Sequence, residues 1–355
     1  MSTAGAVAAR AHRVQQAAER GAVRALFALP ERAKRLLAGA PVVIDGQTLD
    51  VSTQLLLRVQ RLSRKPGAET FPIPQGRVVL AEQSELLGEA FAMGAISDTE
   101  AGGVPVRVYV PRELLDAAAR PTLVFIHGGG FIYGDRHSTH DSVCRFLADR
   151  AGVQVISVDY RLAPEAPFPA AFEDSLAVYR AVLGDPEQWR VDADRMAVGG
   201  DSAGGNLSAA LALAAAREGL PLAFQLLIYP VTDSFGESAS RQLFGRGFFL
   251  THEFMDLAID AYVPDHALRP DPRVHLLGAE IPDGVAPALV VTAGFDPLRD
   301  EGEAYARRLV EAGVDVELRR ETGLIHGFLN WLGAPCAARD AVGVMAEQLS
   351  AALKR

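Results

Sequence analysis

Cysteine is scarce in this chain: two thiols, Cys144 and Cys336, in 355 residues. Two distant cysteines exclude a disulfide framework, and no C-x-x-C spacing is present. They fit a reducing, cytoplasmic setting, with both side chains expected as small buried hydrophobes. Long apolar runs are also missing. The stretch "ALFAL" (25–29) stops at Pro30, and "LLAGAPVVI" (36–44) is broken by Gly39 and Pro41. Nothing approaches the ~18 residues of a membrane span or the uninterrupted core of a signal peptide. Excess positive charge is lacking as well. The net charge is −9, which gives no basic face for nucleic acid. Residues 1–40 are the local exception: seven Lys/Arg against two Glu make +5, leaving about −14 on the other 315 residues. This pattern predicts an amphipathic, Arg-studded helical arm over 10–37, read first as a solvated cap helix, with a membrane-surface contact as the alternative.

What is present is an ordinary globular composition, 49% hydrophobic and 22% charged, in a chain long enough to bury a sizeable core. From Val104 onward, strand and helix signals alternate. Apolar residues occupy alternate positions in VPVRVYV (104–110), as in a half-buried strand. Further short apolar or β-branched runs follow at 121–126, 153–158, 195–200, 223–229, 287–293 and 314–320. Between several of them lie helical stretches: Phe172–Leu183, Ser202–Arg217, Asp300–Ala312 and the end from about Asp340. The expected fold class is α/β, a mainly parallel central sheet with helices on both faces. The leading 104–110 strand suits an antiparallel addition at the edge. Two segments break the rhythm. Residues 1–95 read as helical or irregular, and the aromatic-rich segment 234–280 interrupts two core strands. Both are expected as a helical cap over the strand ends, where open α/β sheets bind ligands. The expected division is 1–95, extension and cap helices, and 96–355, catalytic domain with a cap insertion at about 234–280.

Ser202 lies in "VGGDSAGGNLSAALALAAAR" (198–217), at the corner where a strand becomes an Ala/Leu-rich helix. A serine there can cap the helix, belong to a phosphate cradle or act as a nucleophile. The phosphate loop needs Lys then Ser/Thr, and no lysine is near. The surrounding Gly200-Asp201-Ser202-Ala203-Gly204 is a G-x-S-x-G, whose glycines permit the tight turn that lifts a serine oxygen above a sheet. The helix N-terminus adds potential favourable to developing negative charge.

About 75 residues earlier, "FIHGGGFIYGD" (125–135) follows another strand. Consecutive glycines leave backbone N–H groups unshielded, as an oxyanion-binding loop requires. A serine nucleophile needs a base, and the base an orienting acid. His326, in "LIHGF", and Asp296, in "TAGFDPLRDEG", each follow a predicted strand. The order Ser202, Asp296, His326 matches the Ser…Asp…His order of α/β hydrolases. The remaining candidates have structural readings. Asp300, with Glu303 three residues on, looks like an N-cap in a capping box, and His127 is expected to brace the glycine loop. His137 and His140 lack further ligands. The stretch "HEFMD" (252–256) ends in Asp256 where a zinc motif needs His.

Together, HGGGF, DYRLAPE (159–165), GDSAGGNL, DPLRDEG and HGF resemble the hormone-sensitive-lipase family of carboxylesterases, in its GDSAG subgroup. The resemblance runs from about residue 100 to the C-terminus. It implies an α/β-hydrolase fold with a cap. It makes Ser202 the nucleophile, His326 the general base and Asp296 its orienting acid, with oxyanion donors on the N–H groups of Gly129, Gly130 and Ala203. It further implies a cofactor-independent enzyme, often dimeric, acting on small ester substrates of short to medium acyl chain. Amide or lactone cleavage by the same triad stays open. A purely binding role, as in the related gibberellin receptors, conflicts with His326, because those receptors lack the base histidine. Only "GQTLDVSTQLLLRVQRL" (46–62) looks like the usual family start, so residues 1–45 read as an extension.

Overall fold

The computed structural model describes residues 16–233 and 235–354. Its centre is an eight-stranded sheet: β1 (Ala95–Ala101), β2 (Val104–Val110), β3 (Arg120–Ile126), β4 (Gln154–Val158), β5 (Val191–Asp201), β6 (Phe224–Ile228), β7 (Ala288–Phe295) and β8 (Val316–Ile325). The spatial order is β8-β7-β6-β5-β3-β4-β2-β1. β2 runs antiparallel to both β1 and β4, and the other pairs are parallel. The central strands are short and β-branched because helices cover both faces. β4 and β6 are buried at every position, so alternation disappears from their sequences.

The antiparallel addition is therefore a hairpin, and the outermost strand is β1 rather than 104–110. The sequence pattern hid β1 because its residues are mostly exposed. As an edge strand it carries Asp98 and Glu100, charges that discourage further strand pairing. Two apolar clusters lie on opposite faces of the sheet. One is centred on Val124, Val198 and Leu207, and the other on Phe125, Leu226 and Val342. Each fully buried Leu or Val contributes roughly 1.5–3 kcal/mol relative to exposure.

Strand register determines what stands at the C-terminal edge. Ile126 pairs with Gly200, so the residues that follow, His127 and Asp201, leave adjacent strands at the same height. Phe295 pairs with Ile325, which does the same for Asp296 and His326. The four residues thus rise together at the ligand-binding edge of an open α/β sheet.

Other segments pack around that edge. Residues 16–27 are helical, a second helix spans Glu31–Ala38, and Pro30 separates them. The expected arm over 10–37 is thus two helices, with its first residues outside the described range. Helices Val51–Ser63 and Ile73–Leu87 follow. The second is fastened by Arg77, which donates to Ile132 O at 2.8 Å and Ala163 O at 2.9 Å and pairs with Glu165 at 2.6 Å. Between β6 and β7 lies helix His252–Tyr262. Its last residue stacks on Phe131 with centroids 3.8 Å apart.

Candidate active site

Ser202 begins the helix Ala203–Glu218 with φ +56° and ψ −118°, a backbone conformation that L-residues seldom adopt. The strain is held in place on both sides. Ser202 N–H donates to Ile228 O at 2.9 Å, and its carbonyl accepts from Asn206 and Val231 N–H at 3.0 and 3.1 Å. Close approach explains the glycines. A Cβ on Gly204 would lie 1.9 Å from Ile126 O, and one on Gly200 would lie 2.2 Å from the same oxygen. The Ser202 hydroxyl makes no capping bond. Its oxygen instead lies 3.0 Å from His326 Nε2.

His326 is 6% exposed, and its ring lies 4.6 Å from that of Tyr229. On the other side, Nδ1 is 2.8 Å from Asp296 Oδ2. Asp296 is fully buried, and its second oxygen accepts from Leu298 N–H at 2.9 Å. Serine, imidazole and carboxylate therefore form one continuous chain of hydrogen-bonding distances.

The glycine loop approaches the same serine. Gly129 and Gly130 have φ of +116° and +62°, and a Cβ on Gly129 would lie 2.2 Å from Tyr133 O. Gly130 and Ser202 line one cleft, and neither the Gly129 nor the Gly130 N–H has an acceptor among the described residues. Ala203 carries the first N–H of the helix, which has no intrahelical partner. All six site residues expected from sequence thus gather at the end of β3, β5, β7 and β8.

Four neighbours carry weight that sequence reasoning missed or understated. Asp201 Oδ1 accepts from Gly128 N–H at 2.9 Å and lies 3.0 Å from His140 Nε2. Burial alone would raise the Asp201 pKa. His140, the Gly128 N–H and the nearby His326 together hold it below its ordinary value. The residue beside the serine therefore clamps the glycine loop to the elbow. His140 is this carboxylate's partner. Tyr160, from DYRLAPE, stacks on His127 at 4.3 Å and donates to its carbonyl at 2.9 Å. His127 Nδ1 lies 2.8 Å from Gly128 O, so it braces the loop as expected, and burial and His140 lower its pKa. The fourth is Arg241, which lines the cleft beside Ser202.

A further sequence expectation is corrected. Asp300 is not a capping residue: the helix spans Arg299–Glu311, its cap position is Leu298, and no side chain caps it. Asp300 lies inside the first turn and accepts from Ser240 N–H at 2.8 Å, while Glu303 pairs with Arg320 at 2.6 Å. Among the described residues no group of three or more His, Cys, Asp or Glu is placed to hold a metal ion, and no helix is long and apolar enough to cross a membrane. Both cysteines are free; Cys144 is buried as expected, but Cys336 is only half-buried.

Asp201→Asn tests the clamp. The substitution removes the charge opposite His140 while leaving Gly128 a neutral acceptor, at an expected cost of about 1–3 kcal/mol. The carboxylate's pKa is depressed in the folded chain, so its contribution is full at neutral pH and fades as the pH falls through the folded value. Denaturant midpoints of both proteins, measured at pH 7 and again in the acid range, should differ clearly and then converge.

A family model described as the alpha/beta hydrolase fold matches residues 123–330. The chain belongs to this α/β-hydrolase family, in its hormone-sensitive-lipase-like branch. It is 44% identical to the carboxylic ester hydrolase LipN of Mycobacterium tuberculosis over 331 residues, covering 90% of this chain and 87% of that one. It is 41% identical to the ethyl acetate hydrolase of Pseudomonas putida, covering 72% and 82%. Among solved structures, it superposes on an ester hydrolase from the metagenome of Lake Arreo, complexed with a bipyridine phosphonate derivative. The TM-score is 0.80 at 41% identity, over 85% of this chain and 98% of that one.

Proposed function

We propose that the chain is a cofactor-independent serine carboxylesterase acting on small esters of short to medium acyl chain. The observation that carries this reading is the chain of distances from Ser202 Oγ through His326 to Asp296, 3.0 and 2.8 Å. His326 Nε2 takes the serine proton as Oγ attacks the ester carbonyl, and the buried Asp296 carboxylate stabilises the resulting imidazolium. The N–H groups of Gly129, Gly130 and Ala203 receive the oxyanion. His326 then protonates the departing alcohol, and water, deprotonated by the same imidazole, releases the acid from Ser202. The relatives named as ester hydrolases support the same reaction class.

In this reading the helices before residue 96 and the insertion at about 234–280 act as a cap. Phe254, Met255 and Ile259 on the cleft wall support that role. The free thiols suit a cytoplasmic enzyme, and the family resemblance supports a homodimer. The 85%-exposed Leu36, beside Arg32 and Arg35, offers the basic N-terminal region a surface contact. A chain-length series of p-nitrophenyl esters tests the substrate range. Activity should fall sharply beyond about eight to ten acyl carbons, because specificity resides in the volume of the pocket. Equal rates on long-chain esters would make the protein a lipase instead.

A further inference from the structure

The cleft beside Ser202 is walled by apolar side chains, among them Leu250, Phe254, Met255 and Ile259. One cation stands in that wall, Arg241, from the short helix Ala239–Phe244. Its side chain is largely buried, at 15% exposure. A guanidinium is an unfavourable lining for a cleft that takes only hydrocarbon, because a charge withdrawn from water needs full pairing.

Its pairing is partial. Nη2 donates to Asp233 O at 2.8 Å, and both Nε and Nη2 reach Glu301 Oε2 only at 3.3 Å. Nη1 has no acceptor among the described residues. Glu301 does not depend on the arginine, since its other oxygen accepts from Thr232 and Asp233 N–H at 2.8 and 2.9 Å. Burial pushes the Glu301 carboxyl up to about 7 against the pull of Arg241 and those N–H groups. The cleft therefore contains a cation whose Nη1 donors are to spare.

We propose that Arg241 is an anion-accepting subsite, and that the preferred substrates are small esters that themselves carry a carboxylate. The free Nη1 of the guanidinium donates to the carboxylate in a charge-assisted hydrogen bond, while Ser202 attacks the ester. This rests on the esterase reading above and names its substrate class. In an apolar cleft without this cation, an ionised substrate would be rejected for the desolvation it suffers.

The test compares each acid with its neutral twin. Monoethyl esters of succinate, glutarate, adipate and pimelate are set against the diethyl esters. Acetyl esters of ω-hydroxy acids, set against their methyl esters, probe a carboxylate on the alcohol side. In the wild-type enzyme at least one acid should equal or exceed its twin in kcat/KM. In Arg241→Leu and Arg241→Gln the acid-to-neutral ratio should fall at least thirtyfold, the effect of removing a partner from a buried charge pair, with Arg241→Lys falling less. Because the readout is a ratio within one protein, a general loss of activity does not mimic the result. Should the leucine and glutamine variants fail to fold, competition in the wild type decides. Free glutarate should inhibit p-nitrophenyl butyrate hydrolysis more strongly than butyrate does. The inference is overturned if every acid is hydrolysed a hundredfold less well than its twin, if the ratio is unchanged in Arg241→Leu, or if glutarate inhibits no better than butyrate. Failure to hydrolyse p-nitrophenyl butyrate at all would instead overturn the esterase reading.

Discussion

Ser202→Ala should lower kcat for p-nitrophenyl butyrate by about 10⁵–10⁶-fold, as removal of a triad serine does elsewhere. Alanine leaves the backbone, the glycine contacts and His326 in place but has no oxygen to attack with. Residual turnover would come from the proposed oxyanion donors and substrate binding alone. The variant should remain folded, because the Ser202 hydroxyl makes no capping bond for the helix behind it and its partner is the imidazole of His326. Initial rates with a matched circular-dichroism melt separate loss of chemistry from loss of fold. A variant retaining a tenth of wild-type turnover would remove Ser202 from the reaction.

The second large effect is expected at Asp296, where asparagine should reduce kcat by about 10⁴-fold, the figure for the equivalent change in serine proteases. The cause is geometric. Asp296 Oδ1 accepts from Leu298 N–H at 2.9 Å, so an asparagine keeps its carbonyl oxygen there and turns its NH₂ toward His326 Nδ1. A donor facing Nδ1 forces the imidazole into the tautomer protonated on Nε2. That nitrogen then cannot accept the serine proton across the 3.0 Å gap. Pre-steady-state acylation of the folded variant is the measurement. A loss smaller than tenfold would show that Asp296 does not set the tautomer.

Much of this arrangement was legible in the sequence, because its signals are local. The G-x-S-x-G corner reads as a turn since Gly200 and Gly204 both press against Ile126 O. Asp296 and His326 are legible because Asp296 comes just after the 287–293 strand, His326 lies in the loop after the 314–320 run, and the two come after Ser202 in the order of α/β hydrolases. Ser202 lies one residue outside its helix because its φ of +56° is non-helical, a detail that periodicity does not encode. What escaped was long-range or masked by exposure. The edge strand β1 lacks an apolar pattern. Helix Asp141–Ala151 was passed over, and with it the meaning of His140, whose partner Asp201 is 61 residues away. Asp300 and Glu303 fit a capping box in spacing, yet their carboxylates are taken by Ser240 and Arg320, residues that no local pattern connects to them. Arg241 gave no sign at all, since its significance lies in which cleft its helix faces.

Asn206 bears on how this enzyme is altered in the laboratory or in evolution. Its side-chain amide, one turn beyond the serine corner, donates to Val231 O at 2.9 Å and to Val274 O at 3.0 Å. Those carbonyls bracket most of the insertion between β6 and β7, so one buried side chain ties together two points that flank the segment shaping the cleft. The module between the two anchor points is in effect a cassette with both ends clipped to the same post. Exchanging it for a different length or composition would resize the pocket while the attachment points keep their position relative to Ser202. Substrate choice can therefore be retuned there without touching Ser202, Asp296 or His326.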